Sequence, residues 1–310
     1  MNLNMKRNII FLAILGLSVL LVACKGQPSQ TVFDTPEAAI QAMSELIGQH
    51  DKQGTEQVFG PGSVDMFQSG DDEADREDYQ RVKAMIQESV EFEDFDDNTK
   101  VAFIGEAAWP LPIPLVREGE GWRFDSAKGR EELLNRRVGH NELWTLTALH
   151  QLVEAQREYR SEPRDGNPPA YAQKFRSSEG MNDGLYWATE DGSELSPLGE
   201  LLADSEARGA EPLPFHGYFY RMLTQRGASA PGGEKIFLDE SGLLTHGFAV
   251  IAWPAKYGNS GVMTFMMDHH GLIFEKDLGP ETIQLAAAID SYNPDESWKP
   301  TEDSLAEIED

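Results

Sequence analysis

The side chains best suited to chemistry lie together in the last third of the sequence. Asp268, His269 and His270 are consecutive, and imidazole and carboxylate groups are ligands that suit zinc or iron. Adjacent side chains on a strand point to opposite faces, so the two imidazoles converge only if a turn bends the backbone. The alternative is a polar hairpin tip, which we favour. We therefore predict no bound metal and no other cofactor.

A second group of candidate residues follows one predicted strand, where residues 216–220 read HGYFY. Tyr218 and Tyr220 share one face of this strand, and His216 stands at its rim. The pattern is typical of an aromatic binding wall with an acid or base at its edge, or of aromatic side chains that pack a sheet against a helix. Arg157, on a long predicted helix, is a further candidate for the same cleft. The candidate binding residues are His216, Tyr218, Tyr220, Arg157, Asp268 and His269.

The sequence contains no set of residues typical of nucleophilic catalysis. A nucleophile needs an adjacent base, but there is no Gly-x-Ser-x-Gly motif, and the single cysteine is Cys24. No glycine-rich phosphate-binding motif is present. We therefore assign no catalytic residue and favour a protein that is not an enzyme. The alternative hypothesis is an envelope hydrolase or metal-dependent enzyme that uses His216, Asp268 and His269.

The amino terminus is typical of a secretory signal. Lys6 and Arg7 precede an uncharged apolar run over residues 9–23, which is short for a helix that must cross a bilayer. The run ends in the sequence LVAC at residues 21–24, which resembles the lipobox of bacterial lipoproteins. The resemblance implies cleavage after residue 23 and lipidation of Cys24. Lys25, in place of the aspartate that retains such proteins at the inner membrane, implies the outer membrane, facing the periplasm.

The chain is strongly acidic, with a formal net charge of −27. A surface of this charge repels nucleic acid and anionic headgroups, so we exclude nucleic acid as a partner. Acyl chains, by contrast, give stable attachment to a bilayer. The predicted partners are the membrane, through the lipid, and an envelope protein or the cell-wall matrix.

Periodicity predicts an α+β fold in two units. After the signal peptide (1–23) and a lipidated tether (24–32), residues 33–126 form helices followed by a curled antiparallel sheet with two hairpins. In residues 127–300, a helix over 127–138 ends at a predicted break at 139–141. A longer helix over 142–159 then packs on a second antiparallel sheet.

The predicted apolar stripe of the longer helix includes Leu143, Leu146, Leu149 and Leu152. Further short helices are expected over 170–176 and from Ser196, and a final one over 280–289. Residues 301–310 form an acidic tail without expected structure.

Several short sequence blocks together resemble a bacterial envelope family designated domain of unknown function 2950, over residues 33–299. The resemblance implies an envelope protein and carries over no cofactor or catalytic residue. The blocks are residues 109–116, 121–125, 129–132, 155–159, 183–187, 196–199, 216–220 and 261–265. The second half also looks like a pilin-type globular head, although the apolar pilin stalk is missing. We therefore predict a lipid-anchored periplasmic protein that serves as a non-catalytic binding or envelope-assembly module.

Overall fold

The structure, a computed structural model, describes residues 29–67, 72–188, 195–207, 212–302 and 304. The predicted signal peptide, Cys24 and most of the acidic tail lie outside these residues. The chain divides into two compact units, Met1–Ser126 and Ala127–Asp310. Helices and antiparallel sheets occur in both, which confirms the predicted α+β class. In the described ranges, no helix has the length and apolar character needed to cross a membrane.

The first unit begins with three helices, α1 (Pro36–Leu46), α2 (Lys52–Phe59) and α3 (Asp72–Glu88). A short 3₁₀ turn, Val64–Phe67, lies between α2 and α3. Helix α1 begins where the sequence has a capping residue followed by proline. The Thr35 hydroxyl accepts a hydrogen bond from the Ala38 amide at 3.2 Å, and Pro36 occupies the first helical position.

The helices of the first unit are followed by an antiparallel sheet in the order β1-β2-β4-β5, with β3 paired to β2. Both hairpins form where turn residues separate two alternating segments, as predicted. The strands are β1 (Val90–Asp96), β2 (Thr99–Ile104), β3 (Trp109–Pro110), β4 (Leu115–Glu118) and β5 (Gly121–Phe124).

The second unit is organised on one long helix, α4 (Ser126–Arg160). The predicted break at 139–141 is wrong. A single glycine in a helix costs about 1 kcal/mol relative to alanine, which is too little to interrupt two flanking segments rich in Glu, Leu and Arg. The Asn141 side chain does not cap a new helix, because it donates a hydrogen bond to the Ser260 carbonyl at 2.9 Å.

The buried face of α4 also differs from the predicted stripe at its amino-terminal end. Leu143 is 67 % exposed and Leu146 is only partly buried. The buried positions include the small and polar residues Thr145, Ala148 and Gln156 beside Leu149 and Leu152. The sheet therefore contacts a face rotated away from Leu143.

Between α4 and the second sheet, two predicted helices are corrected. Residues 170–176 form no helix, because side chains from elsewhere make hydrogen bonds with their backbone. The Gln156 side chain bonds both the amide and the carbonyl of Ala172, and the Glu206 carboxylate accepts a hydrogen bond from the Phe175 amide at 2.8 Å. The helix predicted from Ser196 begins later, as α5 (Glu200–Ala203). The Ser196 hydroxyl donates to the Leu198 carbonyl instead of accepting from a helix amide.

The second sheet is antiparallel, in the order β12-β11-β10-β9-β6, and β7 and β8 form a separate ribbon. Strand β9, which lies between β10 and β6, is buried throughout. The strands are β6 (Tyr218–Leu223), β7 (Gln225–Arg226), β8 (Lys235–Ile236), β9 (Ala249–Pro254), β10 (Met263–Asp268), β11 (Ile273–Asp277) and β12 (Lys299–Pro300). The final predicted helix is present as α6 (Thr282–Ala288).

The beginning of the predicted acidic tail belongs to this second unit. Thr301 and Ser304 are buried. The Ser304 hydroxyl accepts a hydrogen bond from the Ile273 amide at 2.7 Å, and the Thr301 amide donates to the Ile273 carbonyl at 3.0 Å. The expectation of a structureless tail is therefore wrong at these two residues.

Candidate functional site

The candidate residues of the second sheet lie at two opposite ends of it. Strand register aligns Leu223, Ala249 and Asp268 in one row, whereas Tyr218 pairs with Pro254 at the other end. Five residue steps of about 3.3 Å separate the ends of a six-residue strand by about 17 Å. His216, which precedes Tyr218, therefore does not converge with Asp268 and His269. The alternative hypothesis of one catalytic site that uses all three residues is wrong for this fold.

His216 occupies a tight turn and not a strand rim. Phe215 and Tyr218 exchange two backbone hydrogen bonds, and His216 and Gly217 between them have φ of 47° and 75°. These are the signs of a type I′ hairpin turn. The His216 imidazole stacks on the Trp144 indole at 4.6 Å between ring centroids and an angle of 10°. Burial, together with His140, lowers the pKa of His216.

Tyr218 and Tyr220 belong to the core. Both are fully buried, so the packing interpretation of the aromatic strand is correct and the exposed binding wall is not. The Tyr218 hydroxyl donates to the Met263 carbonyl at 2.9 Å. Burial raises the pKa of both tyrosines far above its ordinary value. Neither hydroxyl is placed to meet a ligand from solvent.

The opposite end of the sheet carries the Asp268-His269-His270 cluster, in the turn that joins β10 to β11. The ring centroids of His269 and His270 are 4.1 Å apart. Asp268 is only 1 % exposed, and its Oδ1 accepts hydrogen bonds from the amides of His270 at 3.0 Å and Leu272 at 3.3 Å. Burial raises the pKa of Asp268 and lowers the pKa of His269 to about 4.

Two polar atoms in this region are buried without a hydrogen-bond partner among the described residues. They are Nδ1 of His269 and the hydroxyl oxygen of Tyr292. A buried polar group without a partner costs about 1–3 kcal/mol. Burial and the nearby Asp268 carboxylate raise the pKa of Tyr292. This end of the sheet therefore has unused hydrogen-bonding capacity next to a buried carboxylate.

A groove of about 790 Å³ is lined by residues of α4, by residues 197–202, by Phe215 and by the β10–β11 turn. Leu198 and Leu201, from the segment that contains α5, and Phe215 supply apolar lining, and Leu201 is 72 % exposed. The groove also brings together Arg157 and His270, which lie more than a hundred residues apart in the sequence. The polar lining from α4 consists of Thr147, His150, Gln151, Glu154, Arg157 and Glu158.

The charged residues of the groove are mainly acidic. Glu154, Glu158 and Glu200 line it, and Arg157 is the arginine among its described lining residues. The Arg157 guanidinium forms an ion pair of 2.6 Å with Glu154, and the Arg176 guanidinium lies 3.5 Å from the Glu200 carboxylate. These two carboxylates are therefore partly neutralised, and Glu158 contributes most of the remaining negative charge. The groove therefore combines an apolar surface with excess negative charge, which suits a ligand that is both apolar and basic.

A family model described as a protein of unknown function, DUF2950, matches residues 30–301. The chain belongs to this family. The DUF2950 match includes the groove, the His216 turn and the Asp268-His269-His270 cluster, and it confirms the family resemblance read from the sequence blocks. No significant match was found among curated proteins or among solved structures.

The groove includes binding-competent residues that sequence reasoning did not single out. Glu154 and Glu158 are four residues apart and so lie on one side of α4. That spacing was readable as an exposed acidic stripe. Leu201 and Phe215 carried no comparable signal, because their position beside α4 depends on the intervening fold.

Proposed function

We propose that this DUF2950 protein is a lipid-anchored envelope lipoprotein whose second unit binds a basic, partly apolar segment of another envelope protein. The observation that carries the proposal is the acidic and apolar groove along α4. A protein tethered at a bilayer and carrying such a groove serves as a binding or assembly module. It requires no catalytic group.

The proposed anchor rests on the amino-terminal sequence. A basic head at Lys6 and Arg7 and an apolar run lead into the lipobox-like residues 21–24, which end at the single cysteine, Cys24. Lys25 favours the outer membrane. Mass spectrometry of the purified mature chain should find an amino terminus at Cys24 that carries acyl chains. An intact leader or an unmodified Cys24 thiol would refute the anchor and leave the groove proposal standing.

The proposed occupant is a polypeptide because the groove of about 790 Å³ combines apolar side chains with carboxylates, and a peptide segment can present both apolar and basic side chains to it. Leu201 and Phe215 offer apolar contacts, while Glu154 and Glu158 offer carboxylates to lysine or arginine side chains. The formal net charge of −27 adds long-range attraction for basic segments. The same net charge repels acidic peptides.

Fluorescence anisotropy with two synthetic probes tests the occupant. One peptide alternates lysine and leucine, and the other alternates glutamate and leucine. We expect the full chain to bind only the first, with an affinity that falls as salt screens the charges. Glu158→Lys and Leu201→Asp should each weaken binding about tenfold, since a lost contact of about 1.4 kcal/mol has that effect.

Glu240→Lys is the matched control, because Glu240 is exposed, lies outside the groove and undergoes the same change of charge. Its affinity for the lysine-leucine peptide should remain close to that of the unaltered chain. Equal losses for Glu158→Lys and Glu240→Lys would mean that only net charge matters, and the groove proposal would fail. Binding to cell-wall sacculi in the absence of peptide binding would assign the surface to the matrix and refute a polypeptide occupant.

A further inference from the structure

The turn between β10 and β11 concentrates three metal-ligating side chains in one place. The Gly271 amide donates to the Asp268 carbonyl at 3.0 Å, and the Asp268 amide donates to the Leu272 carbonyl at 3.3 Å. This bend brings the imidazoles of His269 and His270 to the same side. One candidate ligand atom from each of the three side chains lies within 4.8 Å of the other two.

The spacing is close to what a metal ion needs. Bonds from zinc to imidazole nitrogen or carboxylate oxygen measure about 2.0–2.2 Å, so two ligand atoms of one ion lie about 3–4 Å apart. The change required from 4.8 Å is about 1 Å. The His270 side chain is exposed and makes no hydrogen bond with the described part of the chain, so it can rotate toward the other two ligands without backbone movement.

The other two side chains are already held in place. Asp268 is 1 % exposed, and both of its side-chain hydrogen bonds within the described residues, from the amides of His270 and Leu272, use Oδ1. Oδ2 is thereby oriented and available, as is usual for a carboxylate ligand supported by hydrogen bonds. Nδ1 of His269 is buried and has no hydrogen-bond partner among the described residues.

From this geometry we infer that Asp268, His269 and His270 form a binding site for a first-row divalent metal ion, with zinc as the representative. Two imidazoles and one carboxylate leave at least one coordination position for water or a ligand group. Since His270 also lines the groove along α4, the ion lies at the edge of that groove. The inference does not depend on the proposed peptide ligand, because it rests on the turn alone.

The surrounding charges decide which ions bind. Arg160, Arg226 and Lys235 act on His269 electrostatically, and they oppose any cation. Magnesium and calcium depend on several negatively charged oxygens, of which the site offers one carboxylate. Zinc and copper bind imidazole strongly enough to tolerate the positive neighbours. The site should therefore select zinc or copper and reject magnesium and calcium.

Calorimetric titration of the full-length chain, purified in detergent and stripped of metal, tests the site. Any free Cys24 thiol is first alkylated, because a thiolate is itself a zinc ligand. We expect one equivalent of zinc to bind in the presence of excess magnesium. His270→Ala should reduce the affinity at least tenfold, and this exposed substitution should leave the circular dichroism spectrum unchanged.

His50→Ala is the matched control, because His50 is an exposed histidine of the first unit. It should bind zinc as the unaltered chain does. Cobalt, which reports its ligands by visible absorption, should show a spectrum in the control that is lost in His270→Ala. Absence of zinc binding, binding that magnesium abolishes, or equal affinity in His270→Ala and His50→Ala would each overturn the inference.

Discussion

The Gln156 side chain makes hydrogen bonds with both backbone groups of Ala172, as a neighbouring strand would in a sheet. Removal of this side-chain amide should destabilise the second unit. Its amide nitrogen donates to the Ala172 carbonyl and its amide oxygen accepts from the Ala172 amide, both at 2.8 Å. Gln156 is fully buried and Ala172 is 2 % exposed. The Gln156→Leu variant keeps a side chain of similar size but can make neither hydrogen bond.

The expected loss follows from those two hydrogen bonds. Each buried backbone group left without a partner costs about 1–3 kcal/mol, so the two together cost about 2–6 kcal/mol. Burying a leucine in place of an amide returns about 1–2 kcal/mol. From the midpoints of these two ranges, the free energy of unfolding should fall by about 2.5 kcal/mol, a large share of the total for a domain.

Guanidinium unfolding, followed by circular dichroism, measures this loss, and hydrogen exchange locates it. A peptide that covers residues 170–176 should lose protection in Gln156→Leu, because its amides depend on that side chain. Gln151→Leu is the matched control, since Gln151 lies on the exposed side of the same helix, and its effect should stay within about 0.5 kcal/mol. Equal stability of the two variants, with protection unchanged at residues 170–176, would refute the proposed role of Gln156.

Three further predictions concern other residues of the second unit. Gly261→Ala should destabilise it by about 1–3 kcal/mol, because a Cβ would lie 2.1 Å from the hydroxyl oxygen of buried Tyr218. In contrast, the Cβ position of Gly139 has no atom of the described residues within 4 Å apart from its chain neighbours and the adjacent backbone of its own helix. Gly139→Ala should therefore stabilise α4 by up to about 1 kcal/mol in the same unfolding assay. Burial lowers the pKa of His216, so the unfolded chain binds the proton more readily and stability should fall as the pH drops below the ordinary value of 6.5. His216→Asn, which suits the type I′ turn, should reduce that pH dependence, and an unchanged dependence in unfolding curves at about pH 7.5 and 5.5 would contradict it.

Elements that depend on neighbouring residues in the chain were readable from the sequence. The start of α1 follows from Thr35 and Pro36, and the hairpins of the first sheet follow from polar turns at residues 96–98 and 118–120. The β10–β11 turn was readable in the same way. In each case capping or turn chemistry acts over a few residues, so no distant contact can easily override it.

Long-range contacts decided what local patterns could not. The Asn141 side chain reaches Ser260, 119 residues away, and so does not end the helix. Gln156, 16 residues from Ala172, holds that segment out of the helical conformation predicted for it. Each of these hydrogen bonds joins residues that are far apart in the sequence. The periodicity of a single segment therefore could not predict them.

The sequence by itself determined the family, the α+β class, the acidic charge and the residues capable of chemistry. Only the tertiary structure decided which of those residues meet. Strand register put His216 and Asp268 at opposite ends of the sheet, buried Tyr218 and Tyr220, and brought Arg157 and His270 to one groove. The physical reason is that burial and proximity depend on how the whole chain packs, whereas composition and periodicity record only what each segment can do alone.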